Sequence, residues 1–199
     1  MKRKILSKLI EWKNKKNRKP LIVNGARQVG KTYILKEFGS HYYEKMAYVN
    51  CDKNKTLDKI FSQDYNISRI LLSLSAILHV NIEPENTLII FDEIQENPTV
   101  LNSLKYFCED ASQYHVAVAG SLLGISLHRD TSFPVGKVDM IKMYPMTFDE
   151  FLMAIDEQPL VDVLASKDFS IIDSLSVRLI DRLRQYYYVG GMPAAVAEF

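Results

Sequence analysis

Eight residues near the N-terminus constrain the fold more than any others: Gly25-Ala26-Arg27-Gln28-Val29-Gly30-Lys31-Thr32 fits G-x-x-x-x-G-K-[ST] at every fixed position. The apolar run Leu21-Ile22-Val23-Asn24 precedes it and a helical pattern over 31–38 follows. Each fixed residue has a physical task. Glycines let the backbone turn tightly and approach a phosphate with no Cβ in the way. Exposed backbone N–H groups and the positive end of the following helix then hold the anion. Lys31 reaches the β and γ phosphates as a mobile point charge, and Thr32 offers its hydroxyl to Mg²⁺, which prefers oxygen ligands. The nucleotide-binding residues are therefore read as Gly25, Ala26, Arg27, Gln28, Val29, Gly30, Lys31, Thr32 and Tyr33.

Sixty residues beyond that loop, Leu88-Ile89-Ile90-Phe91 is an apolar strand closed by Asp92 and Glu93. Ligands bind outside the carboxyl ends of strands in open α/β sheets, and that is where paired acids belong. Asp92 is expected to hold Mg²⁺ with Thr32, and Glu93 to orient or deprotonate the attacking water. His115-Val116-Ala117-Val118-Ala119-Gly120-Ser121 is a further strand with a polar residue at its end. Beside the phosphate-loop strand, Ser121 would point at the γ-phosphate; a turn serine after glycine is the equal alternative.

Around these motifs, apolar strands alternate with helices. Met46–Asn50, Thr87–Phe91, His115–Ala119 and Val138–Met143 read as strands, and 56–80 and the segment from Pro98 read as helices. Strands that are apolar throughout indicate a parallel sheet covered on both faces. After Pro145 only helical patterns remain. The expected division is a basic amphipathic helix in 1–19, a P-loop core over 20–144, and a helical lid or partial C-terminal region over 145–199.

Charge is uneven. Nine of the 25 Lys and Arg fall in the first nineteen residues, opposed there only by Glu11, leaving 16 basic against 23 acidic residues elsewhere. Such an arm suits nucleic acid, but Ile5, Leu6, Leu9, Ile10 and Trp12 form an apolar stripe, so a solvated helix face is the plainer reading. No apolar run is long enough to span a bilayer, and no signal-peptide block precedes the arm. With two cysteines, Cys51 and Cys108, both in core-like segments, the cytoplasm is the expected location and no membrane association is expected.

The runs PLIVNGARQVGKT, LIIFDEIQENP, VAGSLLG, FPVGKVDMIKMYPMTFDEFL and YYVGGMP, in that order, resemble the bacterial and archaeal AAA+-like ATPases that carry an N-terminal AAA domain. The resemblance runs from about Arg18 to the chain end. It implies a three-layer α/β P-loop NTPase fold, with an additional strand between the phosphate-loop strand and the acidic-pair strand. It further implies Gly25–Thr32 as the nucleotide loop, Asp92 and Glu93 as metal and water residues, and Ser121 as the γ-phosphate sensor. Such ATPases often place a trans-acting arginine between the sensor strand and the last strand; Arg129 is the one arginine in that window, and an ordinary surface arginine is the competing reading. Members of this family continue into a C-terminal domain, so 145–199 is expected to be the start of one.

The expected activity is Mg²⁺-dependent ATP hydrolysis, with Lys31, Glu93, Ser121 and Arg129 as the catalytic set, used to drive or switch a partner interaction. A slow regulatory nucleotide switch and a nucleic-acid-associated ATPase are the alternatives. AAA-type neighbour contacts make self-association thinkable. Without an N-K-x-D motif for reading guanine, ATP is preferred over GTP.

Overall fold

The computed structural model describes residues 2–121 and 133–199. Residues 6–143 form one compact unit built on five parallel strands: β1 (Leu21–Gly25), β2 (Lys45–Asn50), β3 (Thr87–Asp92), β4 (His115–Gly120) and β5 (Asp139–Met143), in the order β2-β3-β4-β1-β5. The expected additional strand is β4, seated between the phosphate-loop strand β1 and the acidic-pair strand β3. Central strands β1, β3 and β4 are buried along their whole length, whereas the edge strands β2 and β5 alternate. This is why the central strands read as unbroken apolar runs.

Helices in this unit are α1 (Ile5–Lys13), which begins one residue before it, α2 (Lys31–Tyr42), α3 (Lys55–Phe61), α4 (Ile67–Leu78) and α5 (Pro98–Asp110). On one face of the sheet Ile22, Val49, Ile89, Phe91, Val116 and Val118 pack with Leu57, Ile70, Leu74, Leu104 and Phe107 of α3, α4 and α5. The opposite face takes α2, whose Gly39 lets Met46 and Leu88 come close: a Cβ there would lie 2.7 Å from Met46 Sδ.

The region 56–80 departs from the single helix its periodicity predicts, because α3 and α4 are separate. Asn66 caps α4 by accepting from the Arg69 N–H at 3.1 Å, and Arg69 turns back to Asp64 at 2.9 Å. Short polar side chains that satisfy orphan N–H groups start a helix, so the apolar period runs across a chain break. Helix α1 is also shorter than the amphipathic segment 1–19 expected to hold it, ending at Lys13. The Arg18 guanidinium donates to the Lys13 carbonyl at 3.1 Å, ending the helix there.

The basic segment is built into the molecule. Trp12 is 4% exposed, with its ring 6.5 Å from that of Phe38 and 6.1 Å from that of His115, and its Nε1 donates to the Lys19 carbonyl at 2.8 Å. Lys13 donates to the Tyr42 carbonyl and lies over the Tyr43 ring, Lys15 pairs with Asp139 at 2.7 Å, and Lys19 reaches the Gly136 carbonyl at 2.6 Å. Much of the charge that suggested a nucleic-acid arm is thus engaged internally.

Residues 144–199 and the first few residues of the chain form a second compact unit. Its helices are α6 (Phe148–Ala154), α7 (Gln158–Ser166), α8 (Phe169–Ser174), α9 (Ser176–Val189) and α10 (Pro193–Glu198). Phe151 packs with Met146 and Val196, and Leu152 with Leu160 and Leu179. Two buried glutamates support this unit, one capping α6 and the other tying the start of α7 to α9. Glu150 accepts from the Thr147 N–H at 3.0 Å, and Glu157 accepts from Arg178 at 2.7 Å and Arg182 at 2.9 Å. No helix among the described residues is long and apolar enough to cross a membrane.

A Trp12→Ala substitution should lower stability by about 3–5 kcal/mol, while Lys8→Ala on the exposed side of α1 should change it by roughly 0.5 kcal/mol or less. Urea unfolding of the two variants measures both; equal small effects would show that α1 contributes no core.

Candidate functional site

All five strands are parallel, so their carboxyl ends share one edge of the sheet, where Asn50 at the end of β2, Asp92 at the end of β3 and Ser121 just past β4 come together. A cleft of about 690 Å³ opens at this edge, lined by residues that include Arg27, Gly30, Lys31, Thr32, Glu93 and Ser121. Gln28, Tyr33, Asn50, Asp52 and Glu96 complete the lining.

The loop from β1 to α2 is shaped by two residues in left-handed conformation, Gln28 at φ 64° and Gly30 at φ 93°. Gly25 is required for a different reason: a Cβ there would sit 2.3 Å from the Met143 carbonyl oxygen of β5. A backbone carbonyl cannot yield as a side chain can, so glycine is needed where β1 turns into the loop. Val29 is fully buried and anchors the loop from beneath, while Ala26, Arg27 and Gln28 are exposed. Lys31 Nζ donates to the carbonyls of Gly25 at 3.1 Å and Ala26 at 2.7 Å. Burial lowers the pKa of this ammonium, opposed by the negative charges of Glu93 and Asp92.

Asp92 lies just beneath the cleft, 5% exposed. Its Oδ2 accepts from Thr32 Oγ1 at 2.8 Å and from the Tyr48 hydroxyl at 2.9 Å, while Oδ1 accepts from the Glu93 N–H at 3.0 Å. Three donors leave a buried carboxylate well satisfied and fixed in orientation. Tyr48 is on β2, beside Ile90 of β3, and the Lys36 ammonium stands 3.6 Å from its ring centroid. Burial and the hydrogen bond to Asp92 push its phenol up to about 12, so it remains a proton donor at neutral pH. Glu93 follows with φ 51° and ψ 45° and turns its side chain into the cleft, where Gln95 Nε2 donates to its Oε2 at 2.5 Å.

Most residues anticipated from the motifs converge. Arg27, Gln28, Gly30, Lys31, Thr32, Tyr33, Glu93 and Ser121 line one cleft, with Asp92 one hydrogen bond away; Gly25, Ala26 and Val29 belong to the loop but do not line the cleft. Strand β4 does lie beside β1, with Gly120 opposite Asn24, which brings Ser121 to the cleft wall. Arg129 lies outside the described residues. Sequence reasoning missed Tyr48 and Gln95. Tyr48 is an ordinary strand aromatic until the β2–β3 pairing is known, and only the polar residue two places past the acidic pair hinted at Gln95.

The site chemistry suits a hard cation supplemented from outside the protein. Thr32 and Asp92 supply hydroxyl and carboxylate oxygens, the donors Mg²⁺ takes, and no cluster of three His, Cys, Asp or Glu side chains able to hold a metal occurs among the described residues.

A protein-family model described as an AAA domain matches residues 17–152, which include the loop, the acidic pair and Ser121. No curated protein matches the chain.

Replacing Tyr48 by Phe removes one of the three donors to Asp92 and should cost about 1.5 kcal/mol of stability. Chemical denaturation of the variant checks this, and an unchanged midpoint would remove Tyr48 from the support of Asp92.

Proposed function

The chain belongs to the AAA domain family of nucleotide-binding ATPases, and from that premise we propose that its cleft binds ATP with Mg²⁺ and hydrolyses the β–γ anhydride. The observation that carries this reading is the 2.8 Å hydrogen bond from Thr32 to Asp92. It brings the residue after the loop lysine to the first of the paired acids, two groups 60 residues apart in sequence.

Each residue then has a task. The N–H groups of the loop and of the first turn of α2 hold the phosphates, and Lys31 adds a positive charge against the terminal ones. Thr32 and Asp92 provide the oxygens for Mg²⁺. When bound, the ion neutralises phosphate charge and polarises the γ-phosphoryl group. Glu93 is the base: its carboxylate orients the attacking water and accepts its proton. Ser121, at the end of the strand between the two motifs, contacts the γ-phosphate. Turnover of this kind drives or switches an interaction with a partner.

A slow nucleotide switch is the second reading, and a specific observation favours it. Among the described residues that line the cleft, Arg27 and Lys31 are the only cations. A phosphoryl transition state gains much from an additional arginine. Arg129, or a neighbouring copy in a self-assembly, is where that charge would come from.

Glu93→Gln should preserve ATP binding and lower turnover by roughly 10²-fold or more; unchanged turnover would remove Glu93 from the chemistry. Lys31→Ala should lose both, and wild-type nucleotide affinity in that variant would refute the loop assignment. A specific activity that rises with protein concentration would mark a site completed by association, whereas a flat, low value supports the slow switch.

A further inference from the structure

Gln95 stands in the short 3₁₀ helix Ile94–Glu96, immediately after the acidic pair, and is 6% exposed. Its amide faces two ways. Nε2 donates to Glu93 Oε2 at 2.5 Å, with Glu96 Oε1 at 3.5 Å, and Oε1 accepts from the Ser121 N–H at 3.2 Å. An amide is a donor at one end and an acceptor at the other. The Ser121 N–H can meet only the oxygen, so the nitrogen must face Glu93. The orientation of the clamp is therefore dictated by backbone rather than by a second mobile side chain.

Glu93 needs such a hold. Its left-handed backbone costs a non-glycine residue on the order of 1 kcal/mol and persists only where the surroundings enforce it. The turn does so, through fully buried Ile94 and the hydrogen bond from the Glu96 N–H to the Glu93 carbonyl at 2.9 Å. That fixes where the side chain leaves the backbone but not where its carboxylate lies, because three side-chain torsions remain free.

We propose that Gln95 is a positioning residue for hydrolysis: it grips one oxygen of the Glu93 carboxylate and ties that grip to the backbone N–H at the end of β4. The other Glu93 oxygen is left to meet water. The same bridge makes the water-activating group sensitive to displacement of Ser121, since a shift of that N–H moves the amide and the amide moves the carboxylate. Coupling of this sort needs no direct contact between Ser121 and Glu93. The inference rests on the hydrolysis reading given above.

The test uses Gln95→Met, which keeps length and bulk but loses both polar ends, and Gln95→Glu, which keeps an acceptor for Ser121 while setting a second carboxylate against Glu93. Steady-state ATP turnover is measured beside the affinity for Mg-ATP, read by displacement of a fluorescent ATP analogue. Both variants should lose roughly 10- to 100-fold in kcat, with affinity within about 2-fold of wild type. Placed in a Glu93→Gln background, Gln95→Met should lower turnover no further, because a residue acting only through Glu93 has nothing left to act on. Wild-type kcat in Gln95→Met alongside a crippled Glu93→Gln would overturn the inference and spare the hydrolysis reading. So would a full additive loss in the double variant, or a parallel loss of affinity in both single variants. Equal turnover in wild type and Glu93→Gln would overturn the hydrolysis reading and this inference with it. If Gln95→Met does not fold, Gln95→Glu yields the same comparison, since it retains the acceptor for Ser121.

Discussion

The hydrogen bond between Thr32 and Asp92 joins the first turn of α2, the helix that follows β1, to the end of β3, a strand that is not a neighbour of β1. Strand β4 runs between them, and its small residues Ala117, Ala119 and Gly120 let the flanking polar ends converge over it. Every other feature of the site is referred to that contact. The first turn of α2 supplies Thr32, the end of β3 supplies Asp92, and β2 sends Tyr48 across to the same carboxylate oxygen. A charge buried to this degree is tolerable only with several donors, and a helix, a neighbouring strand and the turn after β3 provide them.

Next to this well-satisfied carboxylate sits its opposite in character. Asp92 is buried and held from several sides, whereas Glu93 is turned toward the cleft on a strained backbone and held at one oxygen by Gln95. Adjacent acids thereby acquire different environments, one suited to holding a cation in fixed geometry and one to meeting water. The left-handed turn at Glu93 is what keeps both at one edge of the sheet. A continued strand would have sent the two side chains to opposite faces of the sheet.

The basic N-terminal segment shows what packing adds to composition. Its positive charges suited an anionic partner or, more plainly, a solvated helix face; in the structure Lys13, Lys15, Arg18 and Lys19 meet carbonyls, a carboxylate and aromatic rings within the same unit. Long basic side chains lay their stems along apolar surface while their charged ends find local acceptors. Trp12 at the centre of this segment is core.

The phosphate loop, the acidic strand and the strand ending in Ser121 were all legible in the amino-acid order, because each is a local pattern. Spacing of glycines, unbroken apolar runs and a terminal polar residue are properties of a few consecutive positions. With the parallel α/β architecture they follow from burial and backbone chemistry alone. The limits of that legibility are equally physical. The break between α3 and α4 depended on Asn66 and Asp64 competing with an apolar period that continued past them. The roles of Tyr48 and Gln95 depended on strand order, since a tyrosine on β2 reaches Asp92 only because β2 pairs with β3, and Gln95 meets Ser121 only because β4 pairs with β3. Local sequence determined which groups can do chemistry; tertiary pairing decided which of them touch, because hydrogen bonds act over about 3 Å and chain neighbours alone cannot bring residues 26 or 60 positions apart within that reach.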